Sequence, residues 1–394
     1  MKKVVASLLL GSIFLLAGCS AKVSEAEKTA VKQPLFAVAF SQSLTSLIAS
    51  QRISPNSASR IMAYSYLASW QAFASAEKGA EVSDAASAGV YVAKELFFNI
   101  PIINADLNTL LMRYSKGVST PEGVGFGKKV LDLASNDGYA EGIYRAPLPK
   151  SSGTFSWEPT GMSRLGFVDP LYGQVKGVTN LESCDIPAPD YIRIKNEVLE
   201  LFDNFSYEQA GGEDVLFFLS GIGTPTPPGQ LLGIASNLVS RLKLKEAEGL
   251  KFLSAVAVGE FDAGIAVWRE KSQHMVARPE SLYERLTGKK ILLPRETPSH
   301  PSYPSGHSGF SGAMVELVER YFGKDTVLML IAPEDLAAPG AVVKFNSPAE
   351  LLARVNQSRV DAGFHYPVDV EAGAELGRCV GGKVFEYFEK GGKS

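Results

Sequence analysis

The sequence has few cysteines, few histidines and no long apolar run beyond its first residues. Its 3 cysteines in 394 residues are too few for a disulfide-rich scaffold. After the start of the chain no stretch approaches the ~18 apolar residues that a membrane-spanning helix needs, which argues against an integral membrane enzyme. A net charge of −3 gives no reason to expect a nucleic-acid partner. With 45% apolar and 21% charged residues, the composition is typical of a globular protein with a large core.

The one long apolar run lies at the N-terminus, follows two lysines and ends in Leu-Ala-Gly-Cys at residues 16–19. A basic start, a short apolar stretch and small residues before a cleavage point are typical of a secretory signal. The ending resembles a bacterial lipobox, which implies a lipidated Cys19; an uncleaved anchor or an ordinary signal peptide is the alternative. We expect a signal peptide over 1–19, a flexible tether over 20–33, and a membrane partner through the lipid anchor only. Ser20 after this cysteine resembles outer-membrane rather than inner-membrane sorting, so we expect the protein to be exported and lipid-anchored at the cell envelope, at the outer membrane if the cell has two membranes.

From Pro34 onward the apolar spacing predicts an all-α fold. Ser54 and Pro55 suit an N-cap and a first helical position, and apolar residues then recur at helical spacing. The predicted helices are approximately 54–76, 84–98, 104–114, 120–136, 190–205, 213–219, 230–244, 245–271, 311–322, 348–360 and 366–388. Few stretches suit a strand, Val327–Ile331 best. We therefore expect one helical domain over 34–394, with its catalytic core at about 224–390.

The stretch from Tyr139 to Pro189 differs because it is rich in proline, glycine, serine and aromatic residues and has no sustained period. Loops of this length are usually functional or wrap a surface. We expect a wrapping loop, and covering the mouth of a site is the alternative. Cys184 and Cys379 are the cysteines left after Cys19, and they could pair in an oxidising compartment or remain free.

Four histidines, His274, His300, His307 and His365, all lie in the last 121 residues, within or beside polar clusters. Scattered core or surface histidines would not be expected to group in this way. Three sequence blocks surround them.

The first block contains Lys271 and Arg278, which are seven residues apart and so can project from one helix face. Alone, this block is better explained as a basic helix end beside a proline. The second block, Tyr-Pro-Ser-Gly-His, ends in Ser305, Gly306 and His307. It places a hydroxyl, an unhindered N–H and an imidazole at a helix start, where free donors and the helix dipole favour an anion.

The third block contains Arg359, His365 and Asp369. Asp369 lies four residues beyond the imidazole and could orient its ring from one helical turn away. Together the blocks offer three cations and neutral donors for an oxyanion. The two imidazoles can then divide the remaining work, one binding the central atom and the other transferring a proton.

Lys-x6-Arg-Pro, Pro-Ser-Gly-His and Ser-Arg-x5-His-x3-Asp, in that order, resemble the signature of the type 2 phosphatidic acid phosphatase and vanadium-dependent haloperoxidase superfamily. The resemblance implies a helical bundle. It implies that His365 binds vanadate in a haloperoxidase, as its metal ligand, or becomes phosphorylated in a phosphatase. His307 resembles the acid–base histidine. The implied oxyanion cage consists of Lys271, Arg278, Ser305, Gly306 and Arg359.

Two further positions resemble the soluble haloperoxidase branch. His300, seven residues before His307, is similar to an extra histidine of algal bromoperoxidases, although a surface loop histidine is the simpler alternative. Trp268 is similar to the tryptophan of the halide pocket. His274 has no family role and is expected to be a supporting or surface residue, and Asp262 is a weak candidate for orienting His307.

The leading hypothesis is a vanadate-dependent haloperoxidase that oxidises halide, bromide being expected, with hydrogen peroxide. In this hypothesis His365 holds vanadate and Lys271 polarises peroxide. The alternative is a periplasmic-type acid phosphatase without a cofactor, in which His365 attacks a phosphomonoester and His307 protonates the leaving group. Both have small-molecule substrates. A third hypothesis, an oxyanion-binding protein without turnover, requires the loss of one catalytic imidazole, and both are present.

Overall fold

The computed structural model describes residues 33–98, 100–139, 153–160, 166–331 and 342–392. The helices of these ranges, labelled α1 to α14 in chain order, are Phe36–Ser50, Pro55–Ser75, Glu81–Leu96, Pro101–Tyr114, Pro121–Ser135, Tyr191–Asp203, Tyr207–Ala210, Glu213–Phe217, Thr226–Arg241, Glu246–His274, Pro279–Thr287, Gly306–Phe322, Pro348–Asp361 and Pro367–Glu389. Strands β1 (Leu328–Ile331) and β2 (Val342–Phe345) pair antiparallel, with Leu328 opposite Phe345. The all-α prediction is confirmed.

Helix α10 is the centre of the fold. It is buried from Phe252 to Trp268 without interruption, and a helix that is buried on all sides belongs in a core. Helix α2, which also contacts α3 and α5, packs against α10. Helices α12 and α14, which contact each other, pack against α10 as well. The C-terminal end of α10, where Trp268 and Lys271 lie, is thereby held inside the protein.

Helices α12 and α14 run parallel to each other. Their backbones are in contact because glycines lie where the two helices meet. A Cβ atom on Gly377 would lie 2.1 Å from the carbonyl oxygen of Gly309, and one on Gly373 would lie 2.4 Å from that of Ser305. The two N-termini therefore meet at one end of the pair, where the Ser305 N–H donates to the Asp369 carbonyl at 2.9 Å. This contact brings the second and third sequence blocks together.

Most predicted helix starts agree with the structure, since side-chain caps determine them. Ser54 accepts a hydrogen bond from the Ser57 N–H at the start of α2, and Ser347 accepts one from Glu350 at the start of α13. Helix α12 begins at Gly306, five residues before the predicted start. Helices α1, α7 and α11 and strand β2 were not predicted. Helix α11 was missed because Pro279 occupies the first position of a new helix rather than ending one.

The wrapping segment runs along α10 in its described parts, 153–160 and 166–189. Trp157 donates its N–H to the Met275 carbonyl at 2.6 Å, and Val168 donates to Ser299 at 2.9 Å. Cys184 and Cys379 form a disulfide that ties the segment to α14, so the open choice between free and paired cysteines is resolved. The rest of this predicted loop lies outside the described residues.

The predicted signal peptide and nearly all of the tether, residues 1–32, also lie outside the described residues. Residues Leu35–Ser394 form one compact unit. Among the described residues, no helix has both the length and the apolar character that crossing a bilayer requires.

Candidate oxyanion site

A cavity of about 50 Å³ lies where α12 begins, beside the C-terminal part of α10. The residues that line it are Pro55, Pro227, Trp268, Pro298, His300, Gly306, His307, Phe310, Arg359, Phe364 and His365. Three of the four histidines and residues of the second and third sequence blocks thus meet there, whereas Lys271 and Arg278 of the first block do not line the cavity. A wider surface groove of about 530 Å³, between residues 178–183 and the end of α14, contains none of the predicted site residues.

His365 is buried and its orientation is fixed by Asp369. Its Nδ1 lies 2.9 Å from Asp369 Oδ2, so the carboxylate accepts a hydrogen bond from the Nδ1–H and the lone pair of the neutral ring is on Nε2. Nε2 lies 3.2 Å from an Arg278 nitrogen. Burial raises the pKa of Asp369 to about 6, opposed by a hydrogen bond from Ser302 and by the charge of Lys271. The predicted spacing of four residues therefore produces the expected contact.

Lys271, Arg278 and Arg359 are buried without a direct carboxylate partner in the described part of the chain. Their donors meet carbonyl oxygens instead. Lys271 Nζ donates to Pro301 at 2.6 Å and to Ser302 at 2.9 Å. Arg278 donates to the carbonyl of Phe364 at 2.7 Å, and Arg359 donates to that of Val215 at 3.2 Å.

Burial lowers the pKa values of all three cations, because it removes their charges from water. Burial, with the charge of Arg278, lowers the pKa of Lys271 well below its usual range. Burial lowers the pKa of Arg278 to about 10, although Asp369 and Glu280 oppose it, and that of Arg359 to about 9. An uncompensated buried cation is costly, so this surplus of positive charge indicates a site for an anion.

His307 lies at the start of α12 and presents Nε2 without a partner. This nitrogen is buried and has no hydrogen bond to any described residue. The backbone of Phe218 forms a hydrogen bond with the imidazole. Asp262, the weak candidate for this role, instead accepts hydrogen bonds from Val178 and Thr179, so that prediction was wrong. A backbone partner has no sequence signal, because any residue can supply it.

His300 and Trp268 form one wall of the cavity, with ring centroids 5.0 Å apart. His300 Nδ1 lies 3.0 Å from an Arg278 nitrogen, from which it accepts a hydrogen bond. Trp268 donates its Nε1–H to the Val168 carbonyl at 3.0 Å, so the wrapping segment supports this wall from outside. His300 therefore lines the cavity and is not a surface loop histidine. His274 does not line the cavity. Its Nε2 lies 3.4 Å from Glu270 Oε2.

Comparison with known proteins identifies the fold. Residues 290–391 match the family model described as the VCPO second helical-bundle domain. A solved bacterial vanadium-dependent iodoperoxidase is 20% identical, with a TM-score of 0.74 and coverage of 88% of this chain and 94% of that one. The chain has the vanadium haloperoxidase fold. The residues matched by the family model include the second and third sequence blocks, and the first block precedes them.

Two bacterial vanadium-dependent chloroperoxidase structures share the fold. The apo structure is 15% identical with a TM-score of 0.64, covering 85% of this chain and 94% of that one. The holo structure is 17% identical with a TM-score of 0.65, covering 87% and 94%. No curated protein sequence matches the chain.

The residues of this vanadium haloperoxidase fold suit a bound oxyanion. Burial, with nearby cations, lowers the pKa values of His300, His307 and His365 well below the usual range, so the imidazoles are neutral near pH 7. The first turn of α12 leaves N–H groups without helical partners, and Ser305 caps it. A water molecule needs about 10–15 Å³ of such space, so about 50 Å³ suits one small tetrahedral ion. Vanadate fits this donor set, as phosphate does.

Proposed function

We propose that the protein is a vanadate-dependent haloperoxidase that oxidises halide with hydrogen peroxide. The observation that carries the proposal is the neutral His365 imidazole, oriented by Asp369 and placed inside a surplus of buried positive charge. An imidazole nitrogen with an available lone pair binds a metal centre. The surrounding cations would hold the oxygens of the bound vanadate.

Each residue of the cage has a role that follows from its chemistry. His365 Nε2 would bind vanadium, while Arg278 and Arg359 would neutralise vanadate oxygens with planar donors. When bound, vanadate supplies the Lewis-acidic centre at which peroxide becomes an oxidant for halide. His307, with its unpartnered Nε2 at the cavity, accepts a proton from an incoming oxygen and later returns it. Lys271, whose Nζ donates to the carbonyls of Pro301 and Ser302, would polarise the bound peroxide.

We further propose bromide as the halide. The Trp268 and His300 wall is aromatic and partly polar, and a neutral imidazole does not attract the halide as strongly as a cation would. The named relatives are an iodoperoxidase and chloroperoxidases, so the halide is a property to be measured on this chain.

A phosphomonoesterase reaction would use the same cage, because phosphate and vanadate share their geometry. It would also need space for the organic group of the ester beside His307. Pro55, Pro227 and Pro298 line this small cavity instead, which favours substrates as small as halide and peroxide.

We also propose export and lipid attachment through Cys19. The pairing of Cys184 with Cys379 supports export, since such bonds persist in oxidising compartments.

The deciding assay uses the chain from Ser20 onward, with and without added vanadate. We expect bromination of a phenolic indicator that requires vanadate, bromide and peroxide together. His365→Ala should lower this activity by about 10³-fold or more, because the ligand and its oriented lone pair are lost. His274→Ala is the matched control, because His274 does not line the cavity, and it should retain activity.

Two results would contradict the proposal. Bromination by the His365→Ala variant would show that His365 does not act in the site. Release of phosphate from a monoester, inhibited by vanadate and unaccompanied by bromination, would assign the chain to the phosphatases.

A further inference from the structure

Helix α4 carries apolar side chains on the face that points away from the protein. Ile103, Leu107 and Leu110 are buried on its inner face. Ile102 and Met112 are 66% and 70% exposed, and at 100° per residue they lie with Ala105 opposite the buried set. The outer face of a surface helix is ordinarily polar, but here exposed apolar side chains lie beside the exposed polar residues Asn108 and Thr109.

Two further exposed apolar residues flank α4 in the sequence. Phe98, three residues before the helix, is 87% exposed, and Val118, four residues after it, is 68% exposed. Phe98 also has a φ of 59°, an unfavourable backbone conformation for a bulky residue. Such a run of exposed apolar side chains marks an interaction surface.

The N-terminal segment joins the fold beside the same helix. Phe36, the first residue of α1, places its ring 5.5 Å from that of Tyr114, the last residue of α4. Seventeen residue steps separate Cys19 from Phe36, a reach of at most about 60 Å. A lipid attached to Cys19 would keep the domain near the bilayer and within reach of this face, where a weak affinity suffices because the local concentration is high.

The charges beside the outer face favour an anionic lipid surface over a second copy of this chain. Residues 94–118 contain three basic residues, Lys94, Arg113 and Lys116, and two acidic residues, Glu95 and Asp106. This segment is thus net positive in a chain of net charge −3. Basic residues around an apolar helix face attract anionic headgroups.

We propose that the outer face of α4, formed by Phe98, Ile102, Ala105, Met112 and Val118, binds an anionic lipid surface. The apolar side chains enter the headgroup region, and the flanking basic residues contact lipid phosphates. The helix lies parallel to the bilayer, which fixes the orientation of the domain. This inference does not depend on the reaction catalysed in the cavity.

The test uses the chain from Ser20 onward, so that no lipid anchor contributes, and vesicles of phosphatidylethanolamine and phosphatidylglycerol. Sedimentation at low salt measures the bound fraction. We expect binding that falls about fivefold or more in the variant Phe98→Ser, Ile102→Ser, Met112→Ser, because the inserted apolar area is lost. The matched control is Ile192→Ser, Leu292→Ser, at positions that are 77% and 78% exposed elsewhere, and it should bind as the unchanged protein does.

A second measurement does not depend on the stability of the triple variant. An environment-sensitive dye on Ala105→Cys should shift to shorter wavelength on addition of vesicles, whereas the same dye on Ile192→Cys should not. The proposal is overturned if the unchanged protein does not bind the vesicles, or if the triple variant binds equally well. A dimer in light scattering that the triple variant abolishes would assign this face to a second copy and overturn it too.

Discussion

Ser302 connects three functional groups of the site although it does not line the cavity. It is fully buried, and its hydroxyl donates to Asp369 Oδ2 at 2.5 Å. Its carbonyl accepts from Lys271 Nζ at 2.9 Å, and its N–H donates to the carbonyl of Val276 at 2.9 Å. One residue thus positions the ammonium and, through Asp369, the imidazole of His365.

We predict that Ser302→Ala weakens vanadate binding by about 10–100-fold, the usual effect of losing a group that orients a metal ligand. Without the hydroxyl, Asp369 is held less firmly and the His365 ring is less well oriented. Calorimetric titration with vanadate measures the affinity, and ¹⁵N shifts of the imidazole report its tautomer. Ser302→Thr, which retains the hydroxyl, is the control. Equal affinities and unchanged ¹⁵N shifts in Ser302→Ala would refute this role.

At the residue scale, a contact could be predicted from the sequence where the spacing of two side chains determines their distance. His365 and Asp369 are four apart in sequence, and the helix start at Pro367 converts this spacing into a 2.9 Å contact. The partner of His307 was not predictable, because the backbone of Phe218 supplies it. Ser302 was missed for a related reason, since its role depends on three contacts with residues distant in sequence.

At the scale of elements, the parallel pair α12 and α14 determines how far His307 lies from His365. Glycines allow the two helices to touch, and a Cβ atom at Gly377 would overlap the Gly309 carbonyl oxygen. A larger residue there must separate the helices at the end that carries the site.

We predict that Gly377→Ala lowers the free energy of unfolding by about 1–3 kcal/mol or more, the usual range for overpacking, and weakens vanadate binding. Gly382→Ala is the matched control in the same helix, since its Cβ would meet only the flexible end of Arg320 at 3.4 Å. It should be neutral or stabilising by up to about 1 kcal/mol, because alanine is the better helix former. Urea unfolding measures both. Equal stability of the two variants would show that the helices do not need glycine at 377.

The elements themselves were largely predictable because caps and apolar periods are local. Ser54 and Ser347 cap helices whose starts follow directly from sequence. Strand β2 was not predictable, since Val342–Phe345 becomes a strand only by pairing with β1. The disulfide was also undetermined, because Cys184 and Cys379 are 195 residues apart and only the fold brings them together.

For the molecule as a whole, Glu260 is a source of pH-dependent stability. It lies in the centre of α10, fully buried, and neither carboxylate oxygen has a hydrogen bond to a described residue. Burial raises the pKa of Glu260 well above its usual value of 4.5. The folded protein therefore retains a proton that the unfolded chain releases, and folding becomes less favourable as the pH rises above about 4.5.

We predict that Glu260→Gln stabilises the protein at pH 8 and has little effect near pH 4. Each pH unit between the unfolded and folded pKa values removes about 1.4 kcal/mol from the wild-type protein, and a neutral amide does not lose it. Thermal unfolding across this pH range measures the difference. Glu182→Gln, at an exposed position, is the control and should not change the slope. Parallel wild-type and Glu260→Gln curves would contradict the assignment.

The bond between Cys184 and Cys379 has a consequence for the order in which the protein matures. Cys379 lies on α14, the helix that also carries Asp369 and packs against α12. Cys379 follows Cys184 by 195 residues, so the bond cannot form before α14 has been synthesised. The same helix completes the cavity, since it carries Asp369. The loss of the two free thiols therefore reports that α14 has docked.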